Sequence, residues 1–351
     1  MRWYFSERHR GHDPVHEVEG GQLGPAQEVA ERAEVIAQAL RSDARFEEHQ
    51  PRAFGRAPIE AVHDPAMVDW LEQAWAEAGS EHRLRERFPD TIRHPGLVIP
   101  GASSPVPTGH RDAGLGYYCF DTMTPIVAGT AAAALSAVDV ALSALEWTLA
   151  SGETTYGCCR PPGHHAAAAM IGGYCYLNNA AIAAQQMTTQ LAAPVAIIDV
   201  DYHHGNGTQA IFYDRDDVFY LSLHGDPDRA FPYFTGYPDE VGTGAGRGWT
   251  ANVGLEAGTD DHTYSEALAR ALDAVERAGV AGLVVSLGVD TYREDPISDL
   301  ALSTEAYGPM GARLAALGLP TVVLQEGGYD RAHLGVNVRE FLVGIGALPG
   351  D

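Results

Sequence analysis

No lysine occurs in this 351-residue chain, and its 23 basic residues are all arginine. That absence excludes a phosphate-binding loop with its lysine, a pyridoxal Schiff base and any lysine nucleophile or base. A GC-rich genome and adaptation to high salt both account for it, and the exclusion holds under either. Cysteine is also sparse. Cys119, Cys158, Cys159 and Cys175 form no C-x-x-C pair, and the adjacent Cys158 and Cys159 close an apolar strand, which fits buried thiols in a reducing compartment.

Long apolar runs are missing as well. No stretch of about 18 or more uncharged apolar residues appears, so no membrane span is expected. The start, Met1-Arg2-Trp3-Tyr4-Phe5-Ser6-Glu7-Arg8, lacks the apolar core and cleavage site of a signal peptide and reads as a first strand. The expectation is a soluble cytoplasmic protein. Positive charge is scarce against 47 acidic residues, and the formal net charge of −24 argues against nucleic acid, whose phosphates it would repel. The same charge favours cationic partners by long-range steering, although solubility alone also accounts for charges so evenly spread.

What is present is an alternation of strand and helix patterns without repeat, low-complexity tract or linker. Helices are expected over 25–42, 65–78, 124–150, 177–191, 208–213, 262–278, 304–317 and 331–343. Strands are expected near 59–62, 195–199, 218–224 and 251–253, with irregular stretches over 79–121 and 225–249 and a loop near 20–24. The first of those is too long for a simple connector, and loops of such length are usually functional or disordered. Alternating elements predict an α/β fold with a mostly parallel sheet in a single domain.

The chemistry sits at strand ends. Asp199-Val200-Asp201-Tyr202-His203-His204-Gly205-Asn206-Gly207 closes the apolar run 195–198, and alternate residues of a strand share a face, so Asp199, Asp201 and His203 can converge. In an open parallel sheet, ligands collect at the carboxyl ends of the strands. A second apolar strand ends in Asp290, a third runs through Arg160-Pro161-Pro162-Gly163 into His164-His165, and a fourth ends in Glu326-Gly327-Gly328-Tyr329. Catalytic zinc takes three protein ligands and leaves a position open, and Asp201, His203 and Asp290 supply two carboxylates and an imidazole for it. Of His164 and His165, one can take a proton from attacking water and pass it to a leaving amine, while the other stabilises developing charge. Tyr329 offers a phenolic donor for an oxyanion. Together these parts define hydrolysis of an amide or ester without a covalent intermediate.

R-P-P-G-H-H, G-G-Y-C-Y-L-N-N, D-V-D-Y-H-H-G-N-G-T-Q, S-L-H-G-D-P, S-L-G-V-D-T-Y-R-E-D-P and E-G-G-Y resemble the motifs of the zinc-dependent histone deacetylase superfamily, with the arginase-deacetylase fold. The closer resemblance is to bacterial acetylpolyamine amidohydrolases, and it covers essentially the whole chain. It implies an open eight-stranded sheet, with zinc on Asp201, His203 and Asp290. It makes His165 the general base and acid, His164 an electrostatic partner held by Asp199, and Tyr329 the carbonyl-polarising group. It also implies a potassium ion bound by Asp199, Ser222 and the backbones of Asp201, His203 and Leu223. Asn206 stands where class I histone deacetylases carry an aspartate, and a neutral partner leaves the His165 pKa lower, as suits a base.

The resemblance further implies a tunnel lined by Tyr174 and Phe231, with the Gly173 backbone and Ile297 near the acyl group. It makes 79–121 a loop that narrows the site and builds a homodimer. Asp112 is its expected acid for a substrate ammonium, and Met123 stands where another acid is expected, with Asp121 two residues earlier. The expected activity is deacetylation of a small cationic amine, such as an acetylated polyamine or diamine. The alternatives are a deacetylase of acetyl-lysine in proteins or peptides or of another acylated small amine, and, more remotely, a metal-binding protein without turnover.

Overall fold

The computed structural model describes residues 1–76, 85–99, 101, 105–106 and 113–346. In chain order the elements are β1 (Arg2–Tyr4), β2 (His16–Glu19), β3 (Gln22–Pro25), α1 (Glu31–Arg41), β4 (Glu47–His49), α2 (Ala57–Glu60), α3 (Pro65–Gln73), α4 (Ala113–Tyr118), α5 (Thr130–Ser151) and β5 (Thr155–Gly157). They continue with α6 (Asn179–Leu191), β6 (Val195–Asp199), α7 (Asn206–Phe212), β7 (Val218–Gly225), β8 (Thr250–Leu255), α8 (Asp261–Ala278), β9 (Leu283–Leu287), α9 (Tyr307–Ala315), β10 (Thr321–Gln325) and α10 (Leu334–Gly346).

Eight strands form one sheet in the order β4-β1-β5-β10-β9-β6-β7-β8, and every pair in it is parallel. The apolar runs that read as strands are continuous, not alternating, because both faces of the sheet are covered. In β6, Ala196 and Ile198 join one core with Leu40, Leu268 and Phe341 of α1, α8 and α10. Val195 and Ile197 join the opposite core with Leu71, Val138 and Ile182 of α3, α5 and α6.

The strand order places the chemistry. From β6 the chain runs outward through β7 and β8, then returns to β9 on the other side of β6. This reversal opens a crevice at the carboxyl ends of β6 and β9, where ligands bind in open α/β sheets. The strands β5, β10, β9 and β6 are neighbours, so all four chemistry-bearing strand ends lie side by side.

Three expectations change. Residues 57–60 form a helical turn with Pro58 near its start, not a strand, since proline fits a first helical turn and cannot donate to a ladder. The loop expected near Gly20–Gly24 is the hairpin β2–β3, turning through Gly20 at φ +56° and Gly21 at +77°, a pair of positive values that suits two glycines. The 79–121 segment contains, among its described residues, helix α4 and a bridge from Arg87 to Ile126. By length and composition α5 is apolar enough to cross a membrane, but 67% of its most apolar window is buried within the fold.

Candidate active site

Asp201 and His203 follow β6 and Asp290 follows β9, and all three side chains are buried, with ligand atoms within 4.8 Å of one another. His203 Nδ1 lies 3.1 Å from Asp290 Oδ2 and 3.3 Å from Asp201 Oδ1. Backbone amides hold the other carboxylate oxygens. Gly327 N donates to Asp201 Oδ2 at 2.8 Å, and Tyr202 N donates to Asp290 Oδ1 at 2.9 Å. The Gly327 approach requires glycine, because a Cβ there would stand 2.4 Å from Asp290 Oδ2 and 2.6 Å from Asp201 Oδ2.

Asp199, read from strand alternation as able to converge with Asp201 and His203, lies outside the cluster. Its Oδ2 is 3.1 Å from His164 Nδ1 and accepts the Tyr220 hydroxyl at 3.1 Å, while Oδ1 accepts from Asp201 N at 3.2 Å. The strand ends at Asp199, so the turn that follows no longer keeps strict alternation. Ser222 pairs in register with Asp199 across β6 and β7, and its hydroxyl is 2.7 Å from His224 Nδ1. Among the described residues, no hydrogen bond ends on the carbonyl oxygens of Asp201 or His203.

The two histidines of the β5 loop have opposite electrostatics. Burial opposes a charge on His164, but Asp201 and Asp199 outweigh it and raise the imidazole to about 10. Burial and the neighbouring His164 and His203 hold His165 well below the ordinary imidazole value. Its Nδ1 lies 2.7 Å from Asn206 Oδ1, an acceptor, which places the proton on Nδ1 and leaves Nε2 as the basic nitrogen. Glu326 anchors this loop: Oε2 accepts from Gly163 N at 2.6 Å and His164 N at 3.1 Å, and Oε1 accepts from Ser286 at 3.2 Å.

Tyr329 follows β10 with 7% of its surface exposed. Burial pushes its phenol well above the ordinary value, with Arg32 pulling the other way, so it stays protonated and able to donate. Arg32 of α1 is buried, donates to the carbonyls of Gly328 at 2.6 Å and Glu326 at 2.8 Å, and sets its guanidinium 4.5 Å from the Tyr329 ring centroid. An ion pair to Glu28 at 2.8 Å, shared with Arg160 at 2.7 Å, balances that charge.

Above this floor is a cavity of about 580 Å³ whose lining includes His165, Gly173, Tyr174, His203, Phe231, Ile297 and Tyr329. Its walls are aromatic. Phe231 meets His165 edge-on at 5.1 Å, Phe120 stacks on Phe231 at 5.9 Å, and Tyr174 lies 5.8 Å from Tyr329. Tyr174 takes φ +66°, a conformation that non-glycine residues adopt rarely and mostly where the surroundings enforce it.

Of the expected site residues, His165, Gly173, Tyr174, His203, Phe231, Ile297 and Tyr329 line this cavity, Asp201 and Asp290 adjoin His203, Asn206 adjoins His165, and Asp112 lies outside the described residues. Asp121 does not serve as a free acid for a substrate. Its carboxylate accepts from Met123 N, Thr124 N, Thr124 Oγ1 and Gly173 N at 2.5–3.1 Å, so it fixes the tunnel wall. Met123 lines the cavity, and the carboxylate at the mouth is Glu19 from the β2–β3 hairpin. Glu17 of the same hairpin is buried, accepts from Gln27 N at 3.1 Å and is influenced by the Tyr174 hydroxyl, and burial pushes it up to about 7. Sequence reasoning missed both acids; Gly20-Gly21 between short polar-apolar alternations is the signal that could have marked a hairpin in place of a loop.

A parallel α/β sheet with two carboxylates and an imidazole at its switch point, a neutral histidine and a phenol beside them, is the arrangement of a hydrolase acting on an acyl bond. Residues 26–345 match the family model described as the histone deacetylase domain. Acetylpolyamine amidohydrolase 1 of Pseudomonas aeruginosa is 45% identical over 340 residues, covering 97% of each chain. The Mycoplana ramosa acetylpolyamine amidohydrolase is 41% identical, covering 98% of this chain and 99% of its own. The crystal structure of the acetylpolyamine aminohydrolase of Burkholderia pseudomallei superposes with a TM-score of 0.92 at 38% identity over the full length of both. The chain belongs to the histone deacetylase family and is an amidohydrolase of the deacetylase class.

Proposed function

We propose that the protein is a zinc-dependent amidohydrolase that removes the acetyl group from a small cationic amine, such as an acetylated polyamine or diamine. One observation carries this reading: Asp201, His203 and Asp290 converge at the foot of an aromatic-walled cavity that also exposes His165 and Tyr329. The donor set fits zinc, since one nitrogen and two carboxylates neutralise a dication and leave a position open. When bound, the ion supplies a Lewis acid that polarises the scissile carbonyl and acidifies water.

The remaining chemistry belongs to the chain. His165, neutral and with Nε2 basic, takes the proton of the attacking water and returns it to the departing amine nitrogen. His164, charged between Asp199 and Asp201, supplies a fixed positive field beside it. Tyr329 donates to the carbonyl oxygen as negative charge develops there. Phe231 and Tyr174 admit a slender chain, Gly173 and Ile297 flank the acyl end, and Glu19 meets an ammonium at the mouth.

A potassium ion beneath the floor would be held by Asp199, Ser222 and the carbonyls of Asp201, His203 and Leu223. The two carbonyls that receive no hydrogen bond and the Asp199–Ser222 register support it. Four free, buried cysteines support a reducing, cytoplasmic setting. A homodimer built through 79–121 completes the reading, and light scattering tests it.

The test is turnover of acetylputrescine, acetylcadaverine, acetylspermidine and an acetyl-lysine peptide by the zinc-loaded protein, with Tyr329→Phe alongside. Preference for the small amines, lost in the variant, is the expected result. Preference for the peptide would favour a protein deacetylase, and no turnover of any would overturn the catalytic reading.

A further inference from the structure

The cavity carries a cation that a purely cationic substrate does not need. Among the described residues that line it, Arg229 is the only arginine, and the two carboxylates are Glu19 and Asp121. Backbone amides and Thr124 occupy Asp121, so among the described lining residues the acid and the arginine left to meet a ligand are Glu19 and Arg229, one of each sign.

Arg229 is oriented but not saturated. Its Nη2 lies 3.6 Å from Asp299 Oδ2, a distance beyond a hydrogen bond, and the arginine side chain is 60% exposed. Asp299 is in turn tied down, since Tyr202 donates its hydroxyl to Oδ1 at 2.9 Å, and Tyr202 itself lines the cavity next to His203. The guanidinium is thus aimed from a fixed base, with donors to spare for a planar anion, the geometry that suits a carboxylate.

We propose that Arg229 and Glu19 together read the zwitterionic head of an amino acid, so that the preferred amine is an acetylated diamino acid of the Nε-acetyl-lysine type. The inference rests on the amidohydrolase reading above and shifts its preferred substrate from a simple diamine to a diamino acid. The acetamide reaches the Asp201–His203–Asp290 floor, the methylene chain passes between Tyr174 and Phe231, and the head group meets Glu19 through its ammonium and Arg229 through its carboxylate. A simple diamine satisfies Glu19 but leaves Arg229 facing a like charge.

Acetylcadaverine and Nε-acetyl-lysine differ only by the carboxylate beside the free amine, so the ratio of their kcat/KM values isolates the contact. The wild-type enzyme, loaded with zinc, is expected to favour Nε-acetyl-lysine. Arg229→Gln is expected to lower that ratio at least tenfold through KM, and Arg229→Lys to restore part of it. Turnover of acetylcadaverine with no turnover of Nε-acetyl-lysine, or a ratio that Arg229→Gln leaves unmoved, overturns the inference while the amidohydrolase reading stands. A wild-type enzyme inert toward both compounds overturns both.

Discussion

His165 Nδ1 lies 2.7 Å from Asn206 Oδ1, so the imidazole is oriented by an amide and not by a carboxylate. An amide fixes the tautomer and favours the imidazolium less than a carboxylate would, so burial and the nearby positive charges prevail and hold the pKa down. Asn206→Asp adds a negative charge at that position and raises the His165 pKa. The acidic limb of the kcat/KM profile should therefore move to higher pH in the variant. A limb that stays in place removes His165 from the role of base.

In the proposed mechanism Tyr329 donates to the carbonyl oxygen as it becomes an oxyanion. Removing one such donor costs about 10²–10³ in kcat. Tyr329→Phe should show a loss of that size with an unchanged circular dichroism spectrum and melting temperature, because the ring retains its packing beneath Arg32.

Gly327 donates its amide to Asp201 and passes within contact of Asp290. Gly327→Ala pushes a methyl group onto both carboxylates and moves the backbone donor away. Zinc affinity should fall by about 10–100-fold, the usual cost of disturbing groups that orient metal ligands. Competition against a chromophoric chelator measures it, and unaltered affinity would contradict the assignment of Asp201 and Asp290.

Glu17 is buried, and its carboxyl is pushed from the ordinary 4.5 to about 7. The folded state holds this proton more tightly than the unfolded chain, so its contribution is fully present below 4.5 and is lost as pH rises toward 7. Glu17→Gln removes that titration while keeping an acceptor for Gln27 N. The variant should melt above the wild type at pH 8, with the gap closing as pH falls toward 4.5. A gap independent of pH would show that Glu17 does not titrate in this window.

The parts of the site legible in the sequence were those carried by local patterns. Apolar runs ending in Asp201–His203, His164–His165, Asp290 and Tyr329 announced strand ends, and the residue types announced acid-base and metal chemistry. What the local pattern overstated was the role of Asp199, because alternation stops where the strand stops. What it missed was Glu17, Glu19, Arg32 and Glu28, whose importance comes from partners distant in the chain: Tyr174, the cavity mouth, the Tyr329 loop and Arg160.

By itself the sequence determined the inventory: an α/β alternation, four chemistry-bearing strand ends, no lysine to perform other chemistries, and a strong negative charge. Only the tertiary structure decided which of these groups meet. Asp201 and Asp290 are 89 residues apart and share a site because the chain reverses direction across the sheet between β6 and β9, so that the two strands become neighbours. The same long-range packing tied Asp121 to the backbone and brought Glu19 and Arg229 to one cavity. Side-chain identity is a local property, whereas proximity follows from strand order, which no short stretch of sequence contains.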